Sequence, residues 1–413
     1  MNGQKSAKFV ILGGGMVAGY AAKQLAELGL EQGQLAIVSA DSAPPYERPP
    51  LSKGFLAGKD SEESVRINAQ EFYQKHGIDL RLECKVSRVD LKGKRLVLDR
   101  GGQLAFEKLV IATGARPRTL NIPGARLANV FYLRSLSDSK AIRDAASDAK
   151  QALVIGGGFI GMEVAAVLAQ KEIAVTMVLS DDRIWKRFFS PEMSKFFENY
   201  YTSRGVRLVK STSVKEFRGN GSVSSALVED GQSVSCDLVV AGIGVEPVTD
   251  FLAASGLQIE NGVLVNEYLQ TSHPDVFAAG DVANYQDLIF GKRRRVEHWD
   301  NAVSQGQYCA RSLMGEKAPF KHVPYFFSDV FDLSYEYWGD SSGAEQIVLR
   351  GDVTTKSFSA WWLRQKRVVA AFTMNRPDEE REVAPAWIES HQAVSPEILQ
   401  DESKSLLTAA AVK

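Results

Sequence analysis

A short apolar run that turns on glycines and continues as a helix occurs twice in this chain. The first copy, KFVILGGGMVAGYAA, spans residues 8–22, and the second, ALVIGGGFIGMEVAAVL, spans residues 152–168. A continuous apolar run is typical of a parallel strand that is buried on both faces. Glycines after such a strand let an anionic ligand approach the backbone and bind at the N-terminus of the next helix. The repeated pattern therefore predicts two Rossmann-like folds, each able to bind the pyrophosphate of a dinucleotide.

Both copies follow the spacing G-x-G-x-x-G/A. The residues expected to line the first dinucleotide are Gly13, Gly15, Met16, Val17 and Ala18. Those expected to line the second are Gly156, Gly158, Phe159, Ile160 and Gly161. An acidic residue should follow roughly 20 residues later, at the end of the next strand, to hold ribose hydroxyls. Asp41 and Asp181 are the candidates, which suggests one dinucleotide as electron donor and one as bound relay.

The chain has 413 residues, enough for two or three domains, and its formal net charge is −1. This charge gives no support for binding to nucleic acid or to an anionic membrane. No apolar run approaches the roughly 18 residues that span a bilayer, and the first strand starts too early for a signal peptide. We therefore expect a cytoplasmic protein.

The loop after Asp41 contains PYERPPLSK, residues 45–53. This segment resembles the signature of FAD-dependent reductases of the ferredoxin-reductase and monodehydroascorbate-reductase type, within the pyridine nucleotide-disulfide oxidoreductase superfamily. The resemblance implies that Arg48 contacts the FAD and that Lys53 lies beside the reactive edge of its isoalloxazine ring. A fixed cation there would stabilise negative charge on the reduced ring. The alternative for the same segment is a proline-rich surface loop with solvated charges.

The resemblance implies further FAD contacts, at residues that occur along this chain in the same order as in the family. They are Val86, the strand end Ala112, Thr113 and Gly114, then Arg134, Asp281 and Trp299. It also implies an NADH site in the second fold. Its residues are Glu163, Asp181, Arg187, Gly244, Glu297 and His298.

Glu163 and Lys53 are the predicted catalytic residues, since the resemblance places Glu163 near the nicotinamide and able to pair with Lys53. An acid at Asp181 favours NADH, because a 2′-phosphate would meet like charge. The basic residues Arg183, Lys186 and Arg187 could offset that repulsion, so NADPH use stays open. His298 is expected to be structural, because hydride transfer needs no proton abstraction from carbon.

The chain holds three cysteines, Cys84, Cys236 and Cys309, far apart and without a C-x-x-C pair. We expect reduced thiols, so that electrons pass from flavin to acceptor without the family's redox disulfide. The five histidines show no metal-ligand spacing, and no metal is expected.

The predicted architecture is α/β and glutathione-reductase-like, with two Rossmann-like domains and a C-terminal α/β domain. The FAD domain is expected at 1–116 and 247–319, the NAD(P)H domain at 117–246, and the C-terminal domain at 320–413. The last stretch, 401–413, shows no strong anchor and is expected to fray.

The acceptor pocket departs from the plant monodehydroascorbate reductases. Those enzymes carry an arginine where this chain has Val303 and a tyrosine where it has Phe327, so these two are candidate substrate residues. Losing a cation and a hydroxyl would weaken binding of a radical anion. Trp299 and the run 302–315 look more like bacterial ferredoxin reductases. The basic run 292–295 could steer an anionic acceptor.

We therefore expect hydride transfer from NADH to FAD N5, followed by electron transfer to a small acceptor. Monodehydroascorbate radical or a related radical or quinone is the first choice. The first alternative is an NADH-dependent ferredoxin reductase serving an oxygenase or P450 system. An alternative of another class is a flavin-bound binding protein like apoptosis-inducing factor. The protein could be a monomer or a homodimer.

Overall fold

The computed structural model describes residues 5–186 and 188–409. Its strands are β1 (Ser6–Leu12), β2 (Leu35–Val38), β3 (Asp79–Arg81), β4 (Val86–Asp90), β5 (Arg95–Leu98), β6 (Gln103–Ile111), β7 (Ala115–Pro117), β8 (Val130–Phe131), β9 (Gln151–Ile155), β10 (Ala174–Val178), β11 (Arg207–Val209), β12 (Val214–Asn220), β13 (Ser222–Val228), β14 (Ser233–Ser235), β15 (Leu238–Ala241), β16 (Val245–Pro247), β17 (Val263–Val265), β18 (Val276–Ala278), β19 (Ala283–Asp287), β20 (Lys292–Arg294), β21 (Tyr325–Val330), β22 (Leu333–Gly339), β23 (Gln346–Asp352), β24 (Ser357–Arg364) and β25 (Arg367–Met374). Its helices are α1 (Met16–Glu27), α2 (Gly54–Ala57), α3 (Gln70–Lys75), α4 (Leu136–Ala145), α5 (Phe159–Gln170), α6 (Pro191–Ser203), α7 (Trp299–Leu313), α8 (Asp378–Glu389), α9 (Pro396–Gln400) and α10 (Leu406–Ala409).

The chain divides into two compact units, and neither is continuous in sequence. The first unit comprises the residues up to 48, residues 62–116 and residues 245–324. The second unit comprises residues 49–61, residues 117–244 and the residues from 325 onward.

The first unit is built on a sheet in which β3, β2, β1 and β6 lie side by side and run parallel. The C-terminal half of β6 pairs in parallel with β18, and its N-terminal half pairs antiparallel with β5. Strands β1 and β2 are almost wholly buried, as their continuous apolar sequences predict. The strand order reverses direction at β1, so the carboxyl ends of β1 and β6 form the crevice where such sheets bind ligands.

The second unit repeats this plan in the parallel order β11, β10, β9, β15 and β8. The same unit contains the antiparallel sheet β21-β22-β25-β24-β23. Strands β24 and β25 are buried along nearly their whole lengths. Aromatic side chains of this sheet pack against two helices. Phe372 of β25 meets Phe197 of α6 edge to face, and Trp361 of β24 packs against Trp387 of α8. The predicted α/β fold, with two Rossmann-like cores and a C-terminal sheet, is confirmed.

The segment that was predicted as one proline-rich loop is only partly a loop. Residues Pro49–Ser52 form a 3-10 helix, and α2 follows with Phe55 and Leu56 fully buried. Pro49 and Pro50 lie in the first turn of that helix, where a missing N–H costs nothing. The apolar side chains of α2 then hold the segment in the second unit.

The expectation that the chain frays after 401 is wrong as far as residue 409. The buried guanidinium of Arg350 donates to the backbone carbonyls of Leu399, Asp401 and Lys404. Its Nε donates to the fully buried Glu380, at 2.9 Å, and Leu406 is fully buried. This charge pair anchors the C-terminal segment, and residues 410–413 lie outside the part of the chain that the structure describes.

Candidate functional site

The two glycine turns are built in the same way. Gly13 has a φ of +123°, and a side chain there would place its Cβ 2.1 Å from the carbonyl oxygen of Ala112. Gly156 has a φ of +103°, and its Cβ would lie 2.3 Å from the carbonyl oxygen of Gly242. In each unit the end of a neighbouring parallel strand therefore abuts the first glycine. Only glycine fits such a position, because it has no Cβ and tolerates positive φ.

The second glycine of each G-x-G-x-x-G/A motif is open rather than crowded. Gly15 caps α1, and Gly158 caps α5, both with extended backbone. A Cβ on Gly158 would meet nothing within 4 Å, and one on Gly15 would meet only Arg48, at 3.7 Å. Both 12-residue helices lack an acidic first turn, so their N-terminal N–H groups can receive an anion. This open space fits the predicted pyrophosphates.

Arg48 is therefore placed at the glycine turn of the first unit, where an FAD pyrophosphate would need a cation. Asp281 follows β18 and is buried, with 9% of its surface exposed. Beside it the backbone N–H of Gly280 donates to Oε1 of Gln305, at 2.7 Å. Gln305 is fully buried, and its Nε2 has no hydrogen-bond partner among the described residues. An orphaned donor at this turn fits a ligand with acceptor oxygens. The sequence reasoning missed Gln305, which has no motif of its own.

A carboxylate in the same unit holds two aromatic side chains together. Glu47 accepts from the Tyr20 hydroxyl and from Trp299 Nε1, each at 2.5 Å. The Tyr20 and Trp299 rings meet edge to face, with centroids 6.5 Å apart. Burial, followed by the nearby Glu47 carboxylate, raises the pKa of Tyr20 above its usual value. Glu47 thus fixes the orientation of Trp299, a predicted FAD contact at the start of α7.

The remaining predicted FAD residues are distributed over both units. Thr113 donates its hydroxyl hydrogen to the carbonyl of Val248, and Gly114 accepts from the N–H of the same residue. Asp41 accepts from Tyr46 and from the N–H of Ala43, so its carboxylate orders its own loop. Val86 is the buried first residue of β4, and Ala112 follows the end of β6. Arg134 precedes α4 in the second unit, where its backbone N–H donates to Asp138.

A cavity of about 170 Å³ opens at the second glycine turn, within the second unit. Its lining residues are Gly157, Gly158, Leu179, Ser180, Asp181, Arg183, Trp185, Lys186 and Phe188. Asp181 lies where the strand end meets this cavity, as expected for a residue that holds a ribose. Ile160, on the first turn of α5, is 42% exposed. Phe159, the first residue of α5, packs against Phe326, with centroids 4.2 Å apart. The open turn, the adjoining cavity and the exposed apolar side chain fit a dinucleotide.

The cations beside Asp181 are partly engaged within their own loop. Arg183 donates to the backbone carbonyls of Lys186 and Phe189, and Lys186 forms an exposed ion pair with Asp182 at 3.2 Å. Arg187, the predicted adenosine-side contact, lies outside the described residues. Gly244 has a φ of +95° and accepts at its carbonyl from the N–H of Arg118.

The predicted catalytic residues form an ion pair inside the second unit. Lys53 Nζ lies 2.6 Å from Oε1 of Glu163, and their side chains are 17% and 5% exposed. Ser52 Oγ donates to Oε2 of Glu163, and Ser328 Oγ donates to Oε1, each at 2.5 Å. A buried carboxylate is tolerated when its charge is paired and its oxygens are hydrogen-bonded. The two serines were not predicted, because nothing in sequence links them to a helix more than a hundred residues away.

His298 and Glu297 precede α7 in the first unit. Burial, reinforced by the positive charge of Arg294, lowers the pKa of His298 to about 4, so its ring is neutral near pH 7. Glu297 pairs with Arg295 at 2.5 Å.

The basic run 292–295, which includes β20, forms contacts within its own unit. Arg294 forms an ion pair with Asp287, and Arg293 donates to the carbonyls of Val265 and Asn284. The ion pairs of Arg294 and Arg295 leave this run less net positive charge for steering than its sequence indicates.

The three cysteines are free thiols; Cys236 and Cys309 are buried, and Cys84 is half-buried. Burial raises the pKa of Cys236 and of Cys309 to about 12. Both therefore stay protonated and unreactive near neutral pH.

Among residues 5–186 and 188–409, no group of three or more histidine, cysteine or acidic side chains could hold a metal ion. Over the same ranges, no helix combines the length and the apolar character of a membrane span.

The two candidate substrate residues lie in different units. Val303 is on α7 and packs against the core of the first unit. Phe327 is on β21 in the second unit, and its ring centre lies 5.7 Å from Lys53 Nζ. Tyr325 stacks beside Phe327 at 6.2 Å.

This chain is similar to known proteins over nearly its whole length. The family described as pyridine nucleotide-disulphide oxidoreductase matches residues 7–306, and the family described as reductase C-terminal matches residues 325–410. Monodehydroascorbate reductase 2 from Arabidopsis thaliana is 34% identical, over 98% of this chain and 99% of its own. A solved ferredoxin reductase from Rhodopseudomonas palustris is 33% identical with a TM-score of 0.93, over 99% of this chain and all of its own. Putidaredoxin reductase, solved in covalent complex with putidaredoxin, is 33% identical with a TM-score of 0.94 and matches over the full length of both chains.

The two dinucleotide turns, together with these relatives, define an FAD- and NAD(P)H-dependent oxidoreductase. The chain belongs to the pyridine nucleotide-disulphide oxidoreductase family, and it carries the reductase C-terminal domain.

Proposed function

We propose that the protein oxidises NADH and passes the electrons through FAD to a small organic acceptor, with a quinone or an uncharged radical preferred over the monodehydroascorbate radical anion. The flavin supplies the redox chemistry, since it accepts hydride and returns electrons singly or in pairs. The chain's own residues bind the two dinucleotides and hold charge. The Gly13 turn and Arg48 bind FAD, and the Gly156 turn and Asp181 bind NADH.

The observation that carries the choice of acceptor is the surroundings of Lys53. Its ammonium group is neutralised by Glu163, and it faces the ring of Phe327, a side chain without a hydroxyl group. A paired lysine beside a phenyl ring offers little to an anion but offers an apolar surface to a planar molecule. Val303 likewise supplies no cation. These residues support a neutral, planar acceptor.

The proposed path needs no thiol relay. The thiols of Cys236 and Cys309 are held protonated by burial, so neither supplies the thiolate that attacks a disulfide. Electrons that enter from NADH are then available to the acceptor directly from the flavin.

An acceptor panel tests the proposal. FAD-loaded protein is reduced anaerobically with NADH and then mixed with a benzoquinone, with enzymatically generated monodehydroascorbate radical, or with a purified [2Fe–2S] ferredoxin. The quinone should give the highest kcat/KM. Reoxidation by every acceptor no faster than by oxygen would refute the function.

A double variant tests the acceptor argument separately. Val303→Arg with Phe327→Tyr supplies a cation and a hydroxyl, and each charge-assisted hydrogen bond is worth about 1.5–3 kcal/mol. We expect kcat/KM for the radical anion to rise about tenfold or more while NADH oxidation with the quinone changes little. An unchanged preference would contradict the role given to the two positions.

A small iron–sulfur ferredoxin is the second candidate acceptor. The support is that two ferredoxin-type reductases, one of them solved with its electron carrier, match this chain over essentially its full length. If the ferredoxin arm of the panel exceeds the quinone arm, this assignment replaces the first.

The cofactor preference is proposed to be NADH over NADPH. Asp181 would repel a 2′-phosphate, while Arg183 is held by backbone carbonyls and Lys186 by Asp182. The ratio of kcat/KM for NADH to that for NADPH measures this preference, and a ratio below one would overturn it.

A further inference from the structure

The C-terminal sheet reaches the carboxylate of Glu163 through the side chain of Ser328. Ser328 lies on β21, is 1% exposed, and donates to Oε1 of Glu163 at 2.5 Å. Its partner is 165 residues earlier in the chain. The remaining donors, Ser52 and Lys53, both come from the segment 49–61.

These three donors divide the two oxygens of the carboxylate between them. Oε2 accepts from Ser52, and Oε1 accepts from both Lys53 and Ser328. Lys53 approaches Oε1 on a flexible four-carbon stem, whereas Ser328 lies on a rigid strand. The Ser328 hydroxyl is therefore the better determinant of the position of Oε1.

Strand β21 is itself well fixed. It pairs with β22, where Phe327 is opposite Glu336 and Ser328 is opposite Tyr335. The ring of Phe326 packs against Phe159, which opens the same helix that carries Glu163. Successive side chains of a strand point to opposite faces. Ser328 therefore lies on the buried face with Glu163, while Phe327 lies on the other face and still contacts Lys53.

Two consecutive residues of β21 thus contact the ion pair: Phe327 contacts Lys53, and Ser328 contacts Glu163. We infer that Ser328 is a positioning residue, which holds the Glu163 carboxylate in the geometry needed to orient the nicotinamide ring for hydride transfer. This inference rests on the proposed role of Glu163 at the nicotinamide. Ser328 acts only through Glu163, and the C-terminal sheet thereby takes part in the NADH half of the reaction.

The test compares Ser328→Ala with three other variants. Ser328→Cys keeps the volume but supplies only a weak donor, and Ser328→Thr keeps the hydroxyl. Ser334→Ala is the matched control, because Ser334 is an exposed serine on the neighbouring strand β22. The two donor-deficient variants should behave alike, and Ser328→Thr and the control should behave like the parent protein.

Three measurements are made on FAD-loaded protein without oxygen. They are the limiting rate of flavin reduction by NADH, the primary deuterium isotope effect with NADH deuterated at the transferred position, and calorimetric binding of NAD⁺. We expect the two donor-deficient variants to lose about tenfold in the limiting rate, which is 1.4 kcal/mol. Their isotope effect should change, and their NAD⁺ affinity should stay within about twofold.

Reoxidation by the quinone of flavin reduced chemically with dithionite separates the two halves of the reaction. Its rate should fall far less than the limiting rate of flavin reduction, since Ser328 bonds to Glu163 and the contact of Lys53 with Phe327 is left in place. A limiting rate and an isotope effect in Ser328→Cys equal to those of Ser334→Ala would overturn the inference. Failure of NADH to reduce even the parent protein would instead overturn the proposed function.

Discussion

The second glycine turn has one crowded and one open position, and these lead to opposite predictions for two alanine substitutions that lie two residues apart. Gly156→Ala forces a side chain to a φ of +103° and places Cβ 2.3 Å from the carbonyl oxygen of Gly242. Gly158→Ala meets nothing within 4 Å and has a φ of −79°, which alanine adopts freely. The first change should damage the fold, and the second should damage only the binding of NADH.

The magnitudes follow from these contacts. Left-handed backbone costs an alanine about 1–2 kcal/mol, and an overpacked contact adds about 1–3 kcal/mol, so Gly156→Ala should cost about 2–5 kcal/mol. At about 2–4 °C per kcal/mol for a unit of this size, Tm should fall by at least about 4 °C. Gly158→Ala loses less than about 1 kcal/mol from the helix cap. Its methyl group occupies the space where a pyrophosphate approaches, so the NADH Kd should rise at least about tenfold.

Thermal unfolding followed by circular dichroism, and NADH binding followed by fluorescence, measure both effects. FAD content serves as the internal control, since the predicted FAD turn at Gly13 is untouched. An NADH Kd for Gly158→Ala equal to that of the parent protein would show that this turn does not bind a dinucleotide. A Tm for Gly156→Ala within about 2 °C of the parent value would show that the turn relaxes freely.

Asp181→Ser removes the charge that repels a 2′-phosphate, so the NADPH-to-NADH ratio of kcat/KM should rise about tenfold, and an unchanged ratio would exclude Asp181 as the determinant. Arg350→Met takes one cation from the fully buried Glu380 and should destabilise the protein by about 3 kcal/mol in denaturant unfolding, with faster proteolysis of the C-terminal segment. Lys356→Met, which breaks an exposed ion pair, is its control and should cost under about 1 kcal/mol. The pKa of His298 is lowered from 6.5 to about 4, so the unfolded chain binds this proton first as the pH falls. Stability should therefore drop by up to about 3 kcal/mol between pH 6.5 and pH 4, and His298→Gln should flatten that part of the curve.

The parts of the fold that could be predicted are those in which one short segment carries its own physical reason. A glycine needed for close backbone approach, an apolar strand before it and a helix after it are adjacent in sequence. Both dinucleotide turns were found in this way, at Gly13 and at Gly156. The C-terminal α/β domain, in contrast, was predicted only from the resemblance to the reductase family.

The contacts that could not be predicted join residues that are far apart and chemically ordinary. Ser52 and Ser328 are small polar residues that give no periodic signal, yet both donate to Glu163. Glu47 looks like one more charge in a loop, although it binds both Tyr20 and Trp299.

Buried charge caused the clearest error. No motif marks Arg350 or Glu380, and charged side chains seldom lie in a core without a partner. Their pairing is visible only once the sheet and α8 are in place, and for that reason the anchored C-terminal segment was expected to fray.

The way in which the strand ends close the glycine turns has a consequence for biosynthesis. The turn at Gly13 acquires its final shape only when the carbonyl of Ala112 arrives, and the turn at Gly156 waits for Gly242. The interleaved segments of the two units also require chain as late as residues 245–324 for the first unit and from 325 onward for the second. A nascent chain that ends before residue 245 therefore holds neither unit complete, so the first unit can bind its dinucleotide only after residues 245–324 have been made.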